Sequence, residues 1–336
     1  MSVFCGRPGH AANYLVRAAV TAPSLHHTQS WTFVEESGDR GIEVHADATR
    51  RLLLTDPYGR EMVIGCGAAL FNIRLAMRHL GFNPVVEPFP HTGDPAFLAR
   101  ASWGAYGRPT HDEERMYGAL SRRHTVRGPF RPDPLPTSLI DALREHASDE
   151  GATLHYIDAD DERQRLAELV RAAEDVHGTD PGHVAEQVRW TWRGARPGGV
   201  LADAVVTHPD RTTYAGRDYT DLTGTFPLPH RQRPSRTGLV AVLCTDRDDR
   251  VDWLRAGQAL ERILLYAAAH GVMAAFHTQP LELPRSRARI RESFTAGAFP
   301  QMILRLGYAS SVRPLPRRPV ADVYLANDDR ADGVAH

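Results

Sequence analysis

The spacing of apolar and polar residues predicts helices and strands in alternation along the whole chain. Apolar residues recur at helical spacing over these stretches: 10–22, about 59–80, about 113–121, a stretch after Pro136, about 161–177, about 183–193 and 252–270. Compact apolar or alternating runs predict strands at 32–36, 41–47, 97–103, 153–157, 238–245 and 302–307. A chain that mixes the two element types in this way is expected to form an α+β fold.

Two of the long helical stretches resemble each other. At a constant offset of 190 residues, identical residue types recur at Gly67/Gly257, Ala69/Ala259, Leu70/Leu260, Ile73/Ile263, Leu75/Leu265 and Gly81/Gly271. Small residues early in a buried helix let another helix approach closely, and a closing glycine permits a left-handed turn. A predicted strand follows each stretch, which favours an internal duplication over a chance match between two alanine- and leucine-rich helices.

The duplication predicts two lobes in one chain. Residues 104–112 are glycine, proline and polar, so we expect them to be the linker between a lobe at 1–110 and a lobe at 111–330. The second lobe contains an insertion at about 178–237 that is rich in Gly, Pro and Arg. Because this insertion also contains tryptophan, tyrosine and phenylalanine, a lid is favoured over plain disorder.

Composition and charge narrow the class of protein. The chain has 336 residues, 42% of them hydrophobic, and a formal net charge of −1, so it can build a large core and has no charge bias toward nucleic acid or an anionic membrane. Its cysteines, Cys5, Cys66 and Cys244, are far apart and form no CxxC pair, which argues against a disulfide framework or a structural zinc site. The chain has neither a signal-peptide pattern nor an apolar run of membrane-spanning length, so we expect a cytoplasmic protein.

All 40 basic residues are arginine, because the chain contains no lysine. Chemistry that needs a lysine amine, such as a Schiff base or a Walker-type phosphate loop, is therefore excluded. Any anion site must use guanidinium groups, which suit phosphate well.

Three segments carry candidate chemistry. Residues 22–33 place short polar groups at a bend between a helix and a strand, and residues 316–323 place Arg317 and Arg318 in an extended tail. Between them in sequence, residues 121–130 place Arg123, Thr125 and Arg127 at alternate positions after a helix. Alternate residues of an extended segment share one face, so these two guanidiniums and one hydroxyl form a phosphate-sized set of donors.

The order of these segments resembles that of the nitroreductase family of FMN enzymes, and most closely its Acg-type branch, in which two lobes are fused in one chain. The stretch Pro23–Trp31 resembles the P-S-x-x-N-x-Q-P-W segment of that family. Arg123-His-Thr-Val-Arg127 resembles its R-x-S-x-[RK] segment, and Leu306-Gly-Tyr with the basic tail resembles its late segment. The sequence departs from the pattern at His27, where the family usually has Asn, and at Ser30, where it has Pro.

The resemblance implies a nitroreductase-like fold that forms a pseudo-dimer, with one FMN held between the lobes. Each lobe keeps one part of the site, because where the P-S-x-x-N segment would recur the second lobe reads His146-Ala-Ser-Asp-Glu-Gly-Ala-Thr. For the phosphate the resemblance implies Arg123 and Thr125, with Arg317 or Arg318. The other implied FMN-binding residues are Arg127 near flavin N1 and O2, Pro23, Ser24 and His27 from the first lobe, and Arg122, Leu25 and Gln29 beside them. The charge of His27 is expected to depend on pH.

The implied function is FMN-dependent oxidoreduction, with hydride passing from NAD(P)H through flavin N5 to a small acceptor. No catalytic side chain is required, and one chain is expected to work as a monomer. Two alternatives remain, namely a flavin-sequestering protein with little turnover and a specialised dehydrogenase acting on a peptide or natural product. Metal, dinucleotide-fold and hydrolase chemistry are disfavoured, since HExxH, Gly-rich dinucleotide and G-x-S-x-G motifs are absent.

Overall fold

The computed structural model describes residues 10–36, 40–127, 129–192, 200–201, 237–312 and 314–325. The helices are α1 (His10–Ala19), α2 (Arg60–His79), α3 (His111–Ala119), α4 (Thr137–Asp149), α5 (Asp160–Thr179), α6 (Pro181–Arg189), α7 (Arg250–Ala269), α8 (Gln279–Glu282) and α9 (Pro284–Phe294). The strands are β1 (Trp31–Glu35), β2 (Gly41–Ala46), β3 (Phe82–Pro88), β4 (Phe97–Tyr106), β5 (Thr153–Tyr156), β6 (Thr191–Trp192), β7 (Val200–Leu201), β8 (Leu239–Thr245), β9 (Val272–Phe276), β10 (Phe299–Tyr308) and β11 (Tyr324–Leu325).

The two main sheets repeat one arrangement. The order of strands is β1-β2-β4-β3 in the first lobe and β5-β8-β10-β9 in the second, and neighbours are antiparallel in both. In both lobes a helix precedes the first strand, α1 or α4, and a long helix, α2 or α7, connects the second strand to the third. The fold is therefore α+β and internally duplicated, as the repeat in the sequence predicts.

The lobes meet where α2 crosses α7, and the two matched glycines lie at the crossing. A Cβ atom on Gly67 would lie 2.3 Å from the carbonyl oxygen of Leu254, and one on Gly257 would lie 2.0 Å from that of Ile64. Each of those carbonyls belongs to the residue three positions before the opposite glycine, so the contact is symmetric. Only hydrogen fits at these two positions, which explains why glycine recurs there.

The tail ties the lobes together. Strand β11 pairs in parallel with β1 through Phe33–Tyr324 and Val34–Leu325, so the first sheet acquires a fifth strand from the end of the chain. The predicted lobe boundary at residue 110 thus separates β11 in sequence from the first sheet, to which it belongs in space. Within the described ranges, no helix combines the length and the apolar character needed to cross a membrane.

Several element boundaries differ from those predicted. The predicted linker at 104–112 is too long, because β4 continues to Tyr106 and α3 already begins at His111, which leaves 107–110 as the connection. The sequence pattern also missed β3, β9 and α9. Strand β3 contains two prolines and is mostly exposed, β9 is short and contains two alanines, and only Ile290 of α9 is buried, so none carries a clear apolar period. Most of the predicted insertion lies outside the described residues.

Candidate functional site

The segment between α1 and β1 has an unusual backbone. His26, His27 and Gln29 all adopt positive φ angles of 47°, 56° and 50°, in the left-handed region that non-glycine residues rarely occupy. Such a conformation costs about 1–3 kcal/mol per residue and persists only where neighbouring groups enforce it. Backbone strain of this kind is typical of functional sites.

Neighbouring donors and acceptors enforce this conformation. Arg50 Nε donates to the carbonyl of Thr28 at 2.6 Å, and Ser24 Oγ accepts from the amide of Gln29 at 2.9 Å. From the tail, Arg318 donates its amide to Gln29 Oε1 at 2.9 Å and its guanidinium to the carbonyl of Gln29 at 2.8 Å. Arg318 therefore fixes the segment, and its guanidinium also contacts Trp31, Asp47 and Asp322.

Two other arginines converge on the end of the α1 segment from different parts of the chain. Arg123 is buried and its Nη2 donates to the carbonyl of Thr21 at 2.7 Å, while Arg317 Nη1 donates to the carbonyl of Ala22 at 2.7 Å. Glu261 of α7, fully buried, places Oε1 at 3.4 Å from Arg123 Nε. It also accepts a hydrogen bond of 3.1 Å from the Asn72 amide of α2.

The electrostatics of this cluster favour an anion. Burial and the neighbouring Arg123 guanidinium lower the pKa of Arg317 to about 9, and only Glu261 opposes this shift. Loss of positive charge is favoured when cations are crowded and dehydrated. An additional negative group between the two guanidiniums would relieve that crowding.

His27 lies among these cations as a neutral ring. Burial lowers its pKa well below 6.5, and Arg317, Arg127 and Arg123 lower it further. The ring is therefore neutral near pH 7, with Nε2 donating to the carbonyl of Pro316 at 2.9 Å. The pH-dependent charge expected from the sequence is wrong for the neutral range.

The segment after α3 is extended, as the alternation predicts. The amide of Val126 donates to the carbonyl of Ala274 at 2.8 Å, and Thr125 forms a parallel bridge with the same residue of β9. Thr125 and Arg127 are partly buried, whereas Arg122 is exposed and donates to the carbonyl of Gly118 at 3.2 Å. The structure thus brings Arg123, Arg127 and Arg317 toward His27 and leaves Arg122 on the outer side.

The remaining predicted residues of the first lobe line the same bend. Pro23 is buried, and Ser24 and Leu25 are partly exposed. Pro23 and Ser24 pack beside Gly65 of α2, where a Cβ atom would lie 3.6 Å from each of them. Their position next to the strained segment places them on the first-lobe side of the cluster.

The second lobe lacks the bend at the position that corresponds to the α1–β1 segment of the first lobe. Only Glu150–Ala152 separate α4 from β5, whereas Val20–Ser30 separate α1 from β1, so the bend is missing from the second copy. Glu150 accepts from Arg74 at 2.6 Å and from Arg262 at 3.0 Å, and Asp149 also pairs with Arg262. Carboxylates of the chain itself neutralise the arginines there, so within the described ranges one cationic site is without such a full set of carboxylate partners.

A helix of the insertion reaches the edge of the site. Glu186 of α6 accepts from the amide of Thr55 at 2.9 Å and from its hydroxyl at 2.7 Å. The ring of Trp190, just after α6, lies 4.9 Å from the guanidinium of Arg50. Because Arg50 also donates a hydrogen bond to the carbonyl of Thr28, it connects the start of the insertion to the strained segment.

Comparison with known proteins gives the family of the chain. No protein-family model matches the chain. "Putative NAD(P)H nitroreductase acg" of Mycobacterium tuberculosis strain H37Rv is 31% identical over 315 residues, covering 92% of this chain and 93% of the relative. "Putative NAD(P)H nitroreductase Rv3131" of the same strain is 31% identical over 316 residues, covering 91% of this chain and 88% of the relative. The chain belongs to the Acg-type nitroreductase family.

Solved nitroreductases resemble only part of the chain. The solved structure of the FMN-dependent nitroreductase NfnB from Mycobacterium smegmatis in complex with NADPH is 18% identical, with a TM-score of 0.40. It covers 62% of this chain and 96% of its own. The family assignment therefore rests on the mycobacterial relatives and not on this structural similarity.

Several residues of this site are not identified by the sequence pattern. Asn72 and Glu261 lie in stretches whose pattern predicts only apolar helices, and Arg50 lies outside every predicted element. The sequence does contain an indication of both helix residues. Asn72 lies five positions after Gly67 and Glu261 lies four positions after Gly257, and each is a polar residue in an otherwise apolar part of its helix. Such a residue needs a buried partner, and here the partners are Arg123 and Thr21.

Proposed function

We propose that this chain is an FMN-dependent oxidoreductase that takes hydride from NAD(P)H and passes it to a small acceptor. The observation that carries the proposal is the convergence of two arginines from distant parts of the chain, Arg123 and Arg317, which donate to the neighbouring carbonyls of Thr21 and Ala22 at the lobe interface. The names of the mycobacterial relatives support NAD(P)H as the reductant.

The residues present fit FMN. Its phosphate would supply the anion that the Arg123 and Arg317 guanidiniums need, with Thr125 as a further donor. Among the described residues, Gln29 Nε2 is buried and has no hydrogen-bond acceptor. The carbonyl oxygens of a flavin ring are acceptors of the kind such a donor requires.

When bound, the flavin would supply the hydride chemistry itself. The chain would contribute binding and electrostatics. Arg123 and Arg317 would hold the phosphate, Arg127 would place positive charge near the ring, and the strained segment 24–29 would present Ser24, His27 and Gln29. Both lobes of one chain complete the site, which supports a working monomer.

A second candidate function is flavin sequestration with little turnover. It is favoured by α6, which the Glu186–Thr55 hydrogen bonds and the Arg50–Trp190 contact anchor at the edge of the site. An anchored cover would exclude acceptors and slow flavin loss. The predicted lid beyond Trp192 falls almost entirely on residues that are not described.

We expect the purified protein to bind a single flavin per chain, and the flavin to be FMN. The ratio is supported by the position across the duplication, where Asp149 and Glu150 pair with Arg262 in place of an added anion. Heat release followed by chromatography and mass spectrometry identifies the flavin, and absorbance against total protein gives the ratio. FAD, or two flavins per chain, would contradict the composite site.

Reduction by NAD(P)H separates the two candidate functions. For an oxidoreductase we expect anaerobic bleaching by NADH or NADPH, and reoxidation by a nitroaromatic or quinone, at rates on the order of 1 s⁻¹ or faster. Stopped-flow absorbance measures both steps. Bleaching slower by several orders of magnitude, in a protein that retains its flavin, would favour sequestration.

A further inference from the structure

A fully buried carboxylate lies beside the arginines of the phosphate site, and the proposed function does not use it. Glu261 has no solvent exposure, and its Oε1 contacts both Arg123 Nε and the Asn72 amide. Its second oxygen, Oε2, has no hydrogen-bond partner among the described residues. Asn72 is itself fixed, since its amide also donates to the Thr21 hydroxyl at 3.1 Å and to the carbonyl of Ala18 at 3.3 Å.

The position of Glu261 poses a conflict of charges. Without a bound anion, its carboxylate compensates the charge of the buried Arg123 guanidinium. With a phosphate on the same guanidinium, two negative groups would share one buried cation, and one of them, Glu261, has no contact with water. Glu261 cannot be rehydrated in place, so taking up a proton is the least costly way to remove its charge.

We propose that Glu261 is an exchangeable counter-anion, ionised on Arg123 while the phosphate site is free and protonated once a flavin phosphate occupies it. Binding of the phosphate is then coupled to the uptake of a proton from solvent. This inference rests on the proposed function and concerns the specificity of the same site for a phosphorylated flavin.

The charged groups around Glu261 are consistent with this exchange. Burial raises the pKa of its carboxyl to about 7, with Arg123, then the Asn72 hydrogen bond and then Arg317 opposing the rise. The two histidines near these arginines, His27 and His124, have pKa values lowered first by burial, which disfavours proton uptake by either ring. On the same helix, Arg262 is turned to His146, Asp149 and Glu150.

The test is the number of protons exchanged when apo-protein binds FMN slightly above neutral pH. Isothermal titration calorimetry in buffers of different ionisation enthalpy gives this number. We expect the wild type to take up close to one proton and Glu261→Gln to take up none. The phosphate itself has a second pKa of about 6, so it is already largely ionised at this pH and does not take up a proton. Riboflavin, which lacks the phosphate, should cause no uptake in either protein.

Glu150→Gln is the matched control. Glu150 also contacts two arginines and its side chain is only 7% exposed, but it lies across the duplication from the site. Its variant should take up protons as the wild type does. Equal uptake by the wild type and Glu261→Gln would overturn the proposal.

A second measurement needs no variant. Because uptake of a proton on binding makes affinity fall with rising pH, the ratio of FMN to riboflavin affinity should decrease by up to about tenfold per pH unit just above neutrality. In that range Arg317, whose pKa is about 9, is already protonated and does not contribute to the slope. A ratio that is flat or rises with pH would refute the exchange. FMN binding without proton uptake would overturn this inference alone, whereas failure of the wild type to bind FMN would overturn the proposed function as well.

Discussion

Arg123→Ala is expected to weaken FMN binding by about 1.5–3 kcal/mol, the range for a hydrogen bond to a charged group, which is about 10- to 150-fold in affinity. Arg123 is buried, reaches the site from the segment after α3 and is the guanidinium closest to Glu261. Riboflavin should bind the variant and the wild type equally, because it lacks the phosphate. Fluorescence titration of the apo-proteins with both flavins measures the difference.

Arg122→Ala is the comparison for this prediction. The Arg122 side chain is adjacent in sequence but exposed, and it donates to the carbonyl of Gly118. Its removal should leave FMN affinity close to that of the wild type. If Arg123→Ala weakened riboflavin as much as FMN, the assignment of Arg123 to the phosphate would be wrong.

Gly257→Ala is expected to lower the free energy of unfolding by about 3 kcal/mol, the upper part of the range for overpacking a tight contact. The added Cβ would lie 2.0 Å from the Ile64 carbonyl oxygen and 2.9 Å from Gly67 Cα, so the α2–α7 crossing must open. Thermal unfolding should shift downward by about 5 °C or more. Since Asn72 and Glu261 lie just beyond the crossing, FMN affinity should fall as well.

Gly118→Ala provides the control for the helix crossing. Gly118 lies in α3, where an added Cβ would meet nothing within 4 Å, so alanine should be neutral or stabilise by up to about 1 kcal/mol through helix propensity. Differential scanning calorimetry of both variants makes the comparison. A Gly257→Ala protein as stable as the wild type would contradict the close contact of the two helices.

Much of the fold could be predicted because its signals are local. The helical period of α2 and α7, the glycines that end them and the offset of 190 residues between them are all visible in the sequence. Gly81 and Gly271 do adopt positive φ angles, of 88° and 76°. Where the apolar period is weak, as in the edge strand β3 and the arginine-rich α9, the prediction failed.

The sequence by itself determined that two similar lobes exist and that any anion site between them must be built from arginine. Repetition, periodicity and the absence of lysine are properties of composition and spacing, so no tertiary information is needed to read them. The strained bend was visible only as a cluster of short polar residues, because φ angles such as that of Gln29 depend on contacts with Arg318, far away in the chain.

Only the tertiary structure decided how charge is balanced in the two halves. Glu261 opposes Arg123 from 138 positions further along the chain, and Glu150 joins Arg74 to Arg262 across the lobes. Burial then sets the charge of each group, making His27 neutral and raising the pKa of Glu261. Ion pairing and dehydration depend on which residues folding brings together, and residues far apart in sequence give no local sign of that proximity.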